Sequence, residues 1–364
     1  MSKRIIISGG GTGGHIFPAV ATAHALLKIM PDVKLLFVGA NGKMEMEKIP
    51  QEGFEIKGID IAGFNRSSLL KNIFLPFKIL KSLFQAKKII KEFKPDLCVG
   101  VGGYASFPLL KVAQQLNIKT LVEEQNSFAG KSNKILGKKA NAICVAYDGM
   151  EQFFPKEKLI KTGIPVRKNI VESKVTKEEA CLFFNFDINK KIVFAFGGSL
   201  GAKSINETLI TQHKEFLNND VQLIWQTGKN LFEAAKESVL GNETSIKVFD
   251  FIRQMEYAYV AADVVISRAG ALSIAELCCV GKPVVFVPFP FASEDHQTHN
   301  AMALVKNNAA LLIKDNEANE KLIPTIFSLL NNQNLRHEMT MALHKNAVKN
   351  ADEIIANKII DLIK

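Results

Sequence analysis

The chain has 364 residues, of which 47% are hydrophobic, and it carries a formal net charge of +10 at neutral pH. This length predicts two domains with full hydrophobic cores, and the positive charge predicts affinity for polyanions without choosing among nucleic acid, anionic lipid and phosphorylated substrates. The five cysteines show no C-x-x-C spacing, which disfavours a disulfide framework or a zinc site and indicates buried thiols in a reducing cytosol.

Apolar runs that predict strands alternate with helical patterns along the chain. The first half has predicted strands at Arg4–Ser8, Lys34–Val38, Glu55–Ile59, Asp96–Val101, Thr120–Glu124 and Ala142–Ala146. The same rhythm restarts at Lys191–Phe196 and continues with Val221–Gln226, Ile246–Phe251, Val264–Ser267, Val284–Pro288 and Ala310–Ile313. Such alternation favours parallel sheets covered by helices on both faces. We therefore predict an α/β fold of two doubly wound, Rossmann-like domains with a cleft between them.

The first predicted strand runs into a glycine-rich loop that opens a helix. Gly9, Gly11 and Gly14 formally fit the dinucleotide pattern G-x-G-x-x-G. The second strand, however, ends at Val38 without the acidic residue that would bind the ribose of NAD, so a dehydrogenase is disfavoured. We expect the loop to cradle other ligand oxygens at the positive end of the helix, with His15 as a titratable group beside them.

Further glycine- or amide-rich turns follow other predicted strands. In the first half they are Gly100–Tyr104 and Glu123–Asn126, and in the second half Gly197–Ala202 and Ser267–Glu276. Ser199 is suited to hold a phosphate, or else simply caps the next helix. Glu276 lies near the start of a helix, where it is suited to accept two ribose hydroxyls or else lies on the helix surface. Ligands bind beyond the carboxyl ends of parallel strands, which predicts one substrate per domain.

The polar loop at residues 288–300 contains His296 and His299 but no carboxylate or thiolate set at metal-ligand spacing. The sequence also has no D-x-D pattern, so a diphosphate bridged by a metal is not expected.

Segments in order along the chain carry a family resemblance: Gly10–Pro18, Gly102–Tyr104, Glu124–Asn126, Pro165–Arg167, Gly197–Ala202, Arg268–Leu272 and Asp295–Ala301. They closely resemble the MurG family of peptidoglycan N-acetylglucosaminyltransferases, which are GT-B enzymes of glycosyltransferase family 28. The resemblance implies transfer of N-acetylglucosamine from UDP-N-acetylglucosamine (UDP-GlcNAc) to the C4 hydroxyl of the muramoyl sugar of lipid I. The product would be lipid II for peptidoglycan synthesis, formed with inversion and with no metal and no cofactor.

The resemblance also implies roles for individual residues. His15 would be the catalytic base, although sugar binding and support of its loop remain alternatives. Residues implied to bind UDP-GlcNAc are Thr12, Gly13, Gly14, Asn126, Arg167, Ser199, Ile252, Ala271, Leu272, Ser273, Ile274, Ala275, Glu276 and Gln297. Two positions depart from the family pattern: Glu123 stands where some relatives have His, and Ile164 where many have Asn.

The family implies that residues 1–163 form the acceptor and membrane-side domain, residues 164–344 bind UDP-GlcNAc, and a last helix at about 345–364 packs back on the first domain. No signal peptide or membrane-spanning run is expected. Residues 64–94 combine apolar side chains at helical spacing with an excess of Lys and Arg, and Pro76 should divide them into two helical pieces. This pattern predicts peripheral attachment to an anionic membrane surface, or else an ordinary amphipathic helix packed on the sheet. The resemblance implies the cytoplasmic face of the inner membrane and, as partners, other cell-wall synthesis and division proteins.

Two other functions remain as alternatives. The first is another GT-B sugar-nucleotide protein, such as a UDP-GlcNAc 2-epimerase or a glycolipid glycosyltransferase. The second is a nucleic-acid-binding protein, which the positive charge suggests. The chain shows no recognition-helix or RNP pattern, and its basic residues are interleaved with long apolar stretches, so nucleic acid is not an expected partner.

Overall fold

The computed structural model describes residues 2–62, 75–198 and 201–364. The chain divides into two compact units. Unit 1 comprises Met1–Val166 and Asn350–Lys364, and unit 2 comprises Arg167–Lys349.

Strands and helices alternate through both units. Unit 1 contains β1 Arg4–Ser8, α1 Gly13–Ile29, β2 Lys34–Ala40, α2 Glu45–Gln51, β3 Ile56–Ile59, α3 Leu75–Phe93, β4 Leu97–Gly100, α4 Ser106–Gln115, β5 Lys119–Glu124, α5 Lys131–Gly137, β6 Ala142–Val145 and β7 Leu159–Lys161. Unit 2 contains α6 Lys168–Val171, α7 Lys177–Phe184, β8 Lys191–Phe196, α8 Lys203–Gln212, α9 Lys214–Asn218, β9 Val221–Gln226, α10 Phe232–Ser238, β10 Ile246–Phe249, α11 Met255–Ala261, β11 Val264–Ser267, α12 Ala271–Val280, β12 Val284–Phe286, α13 His296–Val305, β13 Leu311–Leu312, α14 Ala318–Asn331 and α15 Gln333–Lys345. The last helix, α16 Ala351–Ile363, belongs to unit 1.

Each unit has a parallel sheet with the doubly wound strand order. In the described residues, unit 1 has the order β3-β2-β1-β4-β5-β6-β7 and unit 2 the order β10-β9-β8-β11-β12-β13. Along the chain, strands are therefore added first on one side of the sheet and then on the other. This change of side lies between β1 and β4 in unit 1 and between β8 and β11 in unit 2. The predicted α/β fold of two doubly wound sheets is confirmed, and such sheets bind ligands in the crevice at this reversal.

The sheet of unit 1 is buried on both faces, which explains its uninterrupted apolar strands. Ile5 and Ile7 of β1 pack on one face with α1 and α16, whereas Ile6 points to the other face, beneath α3 and α4. Helix α16 contributes Ile355 and Ile359 to the first of these cores and packs along α1.

The core of unit 2 is rich in large aromatic side chains, and the largest that are fully buried include Trp225, Tyr259, Phe194, Phe216 and Phe286. The indole nitrogen of Trp225 donates to the side-chain oxygen of Asn206 at 2.9 Å, so the buried polar atom of this ring is satisfied.

The structure differs from the sequence prediction in some details. Strand β7 was not predicted, because it is short and has lysines at and beside its ends. Helix α1 begins at Gly13, earlier than the apolar periodicity from Ile16 indicated. The first of the two helical pieces expected around Pro76 lies outside the described residues, and the second is α3. Within residues 2–62, 75–198 and 201–364, no helix has the length and apolar character needed to cross a membrane.

Candidate active site

Two glycine-rich loops meet at the point in unit 1 where the strand order reverses. The loop after β1 contains Gly10, and the loop after β4 contains Gly102 and Gly103. A Cβ atom on Gly103 would lie 2.4 Å from the Gly10 carbonyl oxygen, so only glycine allows the two backbones to approach this closely. The two loops therefore pack main chain against main chain at the carboxyl edge of the sheet.

His15, predicted to be the catalytic base, lies in the first turn of α1 against these loops. Its Nδ1 is 3.1 Å from the Gly10 carbonyl oxygen and 3.4 Å from Oγ1 of Thr12. Because a carbonyl oxygen only accepts hydrogen bonds, this contact favours the tautomer with the proton on Nδ1 and the lone pair on Nε2. The edge of the ring carrying Nε2 lies against Gly102, where a Cβ atom would be 2.7 Å from Nε2.

The loop after β1 is supported by a buried carboxylate, that of Glu45, which the sequence analysis did not identify. Glu45 of α2 accepts the Gly11 N–H at 2.8 Å and the Ala40 N–H at 3.0 Å. A Cβ atom on Gly10 would lie 2.2 Å from the Glu45 carboxyl carbon, and one on Gly39 would lie 2.5 Å from its Cγ. Glycine at these two positions therefore makes room for the carboxylate that fixes the loop.

A second carboxylate fixes Asn126, one of the predicted sugar-binding residues. Glu124 ends β5, and its Oε1 accepts the backbone N–H of Asn126 at 3.0 Å and its side-chain amide at 3.2 Å. The other oxygen, Oε2, accepts from the Gly130 N–H at 3.0 Å and from the Asn133 amide at 2.9 Å. Asn126 thus lies at the same carboxyl edge of the sheet as Thr12, Gly13, Gly14 and His15.

The neighbouring Glu123 has a different environment. Its side chain is buried, and its Oε1 accepts from the Gln125 amide at 3.3 Å. Its Oε2 has no hydrogen-bond partner in the described part of the chain. Burial raises the pKa of Glu123 to about 8, against a smaller lowering by Gln125. The carboxyl group of Glu123, at a position where the sequence departs from the family pattern, therefore lies in the interior of unit 1.

In unit 2 the structure brings two predicted site residues together. Arg167 donates from Nε at 3.1 Å and from Nη2 at 2.9 Å to Oε1 of Glu276. The hydroxyl of Tyr259 donates to Oε2 of the same carboxylate at 2.9 Å. Glu276 is only 3% exposed, so the alternative of a helix-surface glutamate is wrong.

The electrostatics of this cluster follow from its burial. Burial is the largest single influence and lowers the pKa of Arg167, but the charge and hydrogen bond of Glu276, together with Tyr259 and Glu256, outweigh it, so the net shift is upward. Burial raises the pKa of Tyr259 well above its ordinary value, and the Glu276 charge adds to the shift. The guanidinium therefore stays charged and the phenol stays a donor across the physiological range.

The remaining predicted donor-site residues lie at strand and helix ends of unit 2. Ala271 to Glu276 form the first turns of α12. The Ile252 N–H donates to Oε1 of Gln226 at 2.8 Å, so reading a base through that N–H requires the Gln226 side chain to move. Ser199 lies outside the described residues.

Gln297 lies in the first turn of α13 and supports the preceding loop. Its Oε1 accepts the Phe289 N–H at 2.9 Å. Arg268 holds the same loop by donating to the carbonyls of Val287 at 2.9 Å and Pro288 at 3.1 Å, and it also pairs with Asp315. Arg268 is therefore committed to loop support in this structure.

In the described ranges, no group of three or more His, Cys, Asp and Glu side chains is arranged to hold a metal ion.

Comparison with known proteins identifies the family. The N-terminal domain model of glycosyltransferase family 28 matches residues 5–145, and the C-terminal domain model matches residues 192–355. The chain is 50% identical over 364 residues to a protein of Bacteroides thetaiotaomicron, covering 99% of this chain and 97% of that one. The chain belongs to glycosyltransferase family 28. It is therefore an enzyme, a glycosyltransferase, as predicted.

That Bacteroides relative is named UDP-N-acetylglucosamine–N-acetylmuramyl-(pentapeptide) pyrophosphoryl-undecaprenol N-acetylglucosamine transferase. A relative of Cytophaga hutchinsonii with the same name is 49% identical over 360 residues, covering 99% of this chain and 97% of that one. The family-28 chain also matches the crystal structure of MurG from Acinetobacter baumannii, with a TM-score of 0.79, 30% identity and 99% of both chains covered. A UDP-GlcNAc 2-epimerase from Neisseria meningitidis, with a TM-score of 0.67, covers 99% of this chain and 100% of its own, but at 13% identity it shares only the fold.

Sequence reasoning missed the side chains that support the site. Glu45 and Tyr259 lie on helices that the sequence marks only by apolar spacing, and neither stands in a recognisable pattern. The one signal for Glu45 was the presence of glycines at both Gly10 and Gly39, which a buried carboxylate requires. No local signal pointed to Tyr259.

Proposed function

We propose that this chain transfers N-acetylglucosamine from UDP-GlcNAc to the C4 hydroxyl of the muramoyl sugar of lipid I, forming lipid II with inversion and without a divalent metal. The observation that carries this proposal is about 50% identity, over 99% of the chain, to relatives named for that transfer. The loops at the carboxyl edges of both sheets support it, because they hold the groups that the reaction needs.

His15 acts as the base in this proposal. The acceptor hydroxyl is a poor nucleophile until a base removes its proton as the new C–O bond forms. The hydrogen bond between Nδ1 and the Gly10 carbonyl directs the lone pair of the neutral ring to Nε2. The acceptor proton moves to Nε2, the hydroxyl oxygen bonds to C1 of N-acetylglucosamine, and the bond from C1 to the UDP oxygen breaks. Asn126 and the loop at Thr12–Gly14 hold the transferred sugar.

The leaving UDP carries the charge that develops in the transition state. We assign its diphosphate to the N-terminal turn of α12, with Ser199 and Arg167 as further partners, since backbone N–H groups at a helix N-terminus stabilise negative charge. Glu276 accepts ribose hydroxyls, Ile252 reads the uracil through its backbone, and Gln297 binds hydroxyls of the sugar.

Attachment to the membrane belongs to the same proposal, because lipid I is a lipid-linked acceptor. On α3, Phe77, Leu80 and Phe84 are 69%, 55% and 73% exposed and lie three and four residues apart. Lysines flank this apolar stripe at positions 78, 81, 87, 88 and 91. We assign this face, here called the α3 face, to the anionic cytoplasmic surface of the inner membrane.

The function is tested by incubating the protein with UDP-GlcNAc and a lipid I analogue. We expect UDP release in step with formation of a β-linked disaccharide, unchanged by EDTA. Free N-acetylmannosamine with UDP and no disaccharide would instead identify an epimerase. Activity lost in EDTA and restored by Mg²⁺ would contradict the metal-free diphosphate site.

The α3 face is tested by charge reversal of Lys78, Lys81 and Lys88 to Glu. We expect weaker binding to vesicles that contain anionic lipid and unchanged turnover of a short-chain soluble acceptor, because each basic residue near such a surface contributes about 1 kcal/mol. A matched variant reverses three exposed lysines of unit 2, namely Lys214, Lys236 and Lys306. Equal vesicle binding by both variants would reject the assignment.

A further inference from the structure

Tyr259 is fully buried, yet its hydroxyl reaches a residue of the candidate donor site. Its ring lies on α11 and packs edge-on against Phe194 and Phe196, with centroid distances of 5.7 and 5.9 Å. The hydroxyl then donates to Oε2 of Glu276 at 2.9 Å. The hydrophobic contacts fix the ring, and the ring fixes where the hydroxyl points.

The two partners of Glu276 differ in how firmly they are held. Arg167 covers Oε1, and its side chain is 23% exposed, whereas Tyr259 is 0% exposed. A ligand that approaches the carboxylate therefore meets the guanidinium first. Tyr259 holds the carboxylate whether or not the guanidinium shifts.

An ionised carboxylate offers about four acceptor positions. Arg167 occupies Oε1 with two N–H groups, and Tyr259 occupies Oε2 with one O–H group. Oε2 thus retains an acceptor position for a ligand hydroxyl, and its direction depends on the bond from Tyr259.

We propose that Tyr259 is a positioning residue of the donor site, whose hydroxyl orients the Glu276 carboxylate to accept a ribose hydroxyl. This inference rests on the proposed role of Glu276 in ribose binding. Tyr259 itself touches no substrate, so its effect must pass through Glu276 and must depend on the ribose.

The test compares binding of UDP and 2′,3′-dideoxy-UDP to the wild type and to Tyr259→Phe by titration calorimetry. Tyr259→Phe keeps the ring and removes the hydroxyl. We expect UDP to bind about tenfold more weakly, as for loss of a hydrogen bond to a charged group, and dideoxy-UDP to bind with unchanged affinity. The donor KM should rise with little change in kcat. Tyr257→Phe, on the same helix and packed on Phe183, is the matched control and should bind both nucleotides like the wild type.

The outcomes separate this inference from the proposed function. Equal weakening of UDP and dideoxy-UDP by Tyr259→Phe would overturn the inference, because the hydroxyl would then act on the fold as a whole. If Glu276→Gln preferred UDP over dideoxy-UDP as strongly as the wild type does, the ribose role of Glu276 would be rejected. Loss of that preference in Glu276→Gln but not in Tyr259→Phe would overturn the positioning role alone.

If Tyr259→Phe does not fold, a second variant tests the positioning role of Tyr259. Glu276→Asp keeps the charge but withdraws the carboxylate from the Tyr259 hydroxyl by one methylene. We expect the same loss of preference for UDP over dideoxy-UDP. Unchanged preference in Glu276→Asp would show that the orientation set by Tyr259 does not matter.

Discussion

Each unit buries a glutamate close to its ligand-binding edge, but the two side chains have very different partners. Glu276 in unit 2 receives two N–H groups from Arg167 and the hydroxyl of Tyr259. Glu123 in unit 1 receives one amide at 3.3 Å, and among the described residues its other oxygen has no partner. Burial raises the pKa of Glu123 to about 8, so this carboxyl group is largely protonated at neutral pH.

The difference shows that burial alone does not decide the charge of a carboxyl group. A nearby cation and hydrogen-bond donors stabilise the ionised form, whereas burial without them favours the neutral form. In unit 2, Arg167 and the Tyr259 hydroxyl hold the Glu276 carboxyl group in place, which suits contact with the hydroxyls of a nucleotide. Unit 1 instead keeps Glu123 neutral and presents the imidazole of His15 and main-chain groups, which suits proton transfer.

The largest effect should follow from removing the imidazole of unit 1. In His15→Ala we expect kcat to fall about 10²–10⁴-fold, the range for loss of a general base, with little change in the donor KM. The comparison is sharpened if only the catalytic step responds, since the proposed contacts to the uridine diphosphate lie in unit 2. Steady-state kinetics with a soluble acceptor measures both quantities.

A matched control is His24→Ala, which removes a half-exposed imidazole from the same helix. It should leave kcat unchanged. A fall of less than tenfold in His15→Ala, or an unchanged pH–rate profile, would favour the alternative that His15 binds the sugar or supports the loop.

A smaller effect is expected when unit 2 is made to resemble unit 1. Arg167→Gln removes the guanidinium that donates twice to Oε1 of Glu276, so the buried carboxylate loses its paired cation. We expect the donor KM to rise about tenfold, because the Glu276 carboxylate is held less firmly for the ribose and the diphosphate loses a partner. The measurement is the donor KM.

Lys168→Gln removes the same charge from the next residue, which is exposed, and is the matched control. Circular dichroism should confirm that both variants are folded, because loss of one partner from a buried ion pair costs about 3–5 kcal/mol. An unchanged donor KM in Arg167→Gln would mean that Arg167 supports neither the Glu276 carboxylate nor the diphosphate.

Most of the fold was predictable because apolar runs and glycine loops are local features. β1 was predicted with its observed ends, and the alternation of strands and helices predicted a doubly wound parallel sheet in each half of the chain. The supporting carboxylates were not predictable in the same way. Glu45 lies 34 residues from Gly11, and Tyr259 lies 17 residues from Glu276 on a different helix, so each contact exists only after the sheets have formed.

The charge of Glu123 could likewise not be predicted. The sequence shows two adjacent glutamates and does not indicate that their environments differ. Glu124 meets donors from Asn126, Gly130 and Asn133, whereas Glu123 points into the interior. Side chains alternate across a strand, so neighbours in sequence enter different environments.

A third effect concerns stability, and it follows from the raised pKa of Glu123. A carboxyl group with a pKa of about 8 in the folded protein and near 4.5 when unfolded binds its proton more tightly in the folded state. The unfolded chain then carries fewer protons over this window, so the free energy of unfolding falls as the pH rises from about 4.5 to about 8. The loss should be on the order of a few kcal/mol in the wild type and absent in Glu123→Gln, which cannot ionise. Urea unfolding midpoints at pH 5, 6, 7 and 8 measure the difference, with the exposed Glu151→Gln in the same unit as the control. If wild type and Glu123→Gln lost stability in parallel, Glu123 would be ionised in the folded protein, and the contrast between the two buried glutamates would not hold.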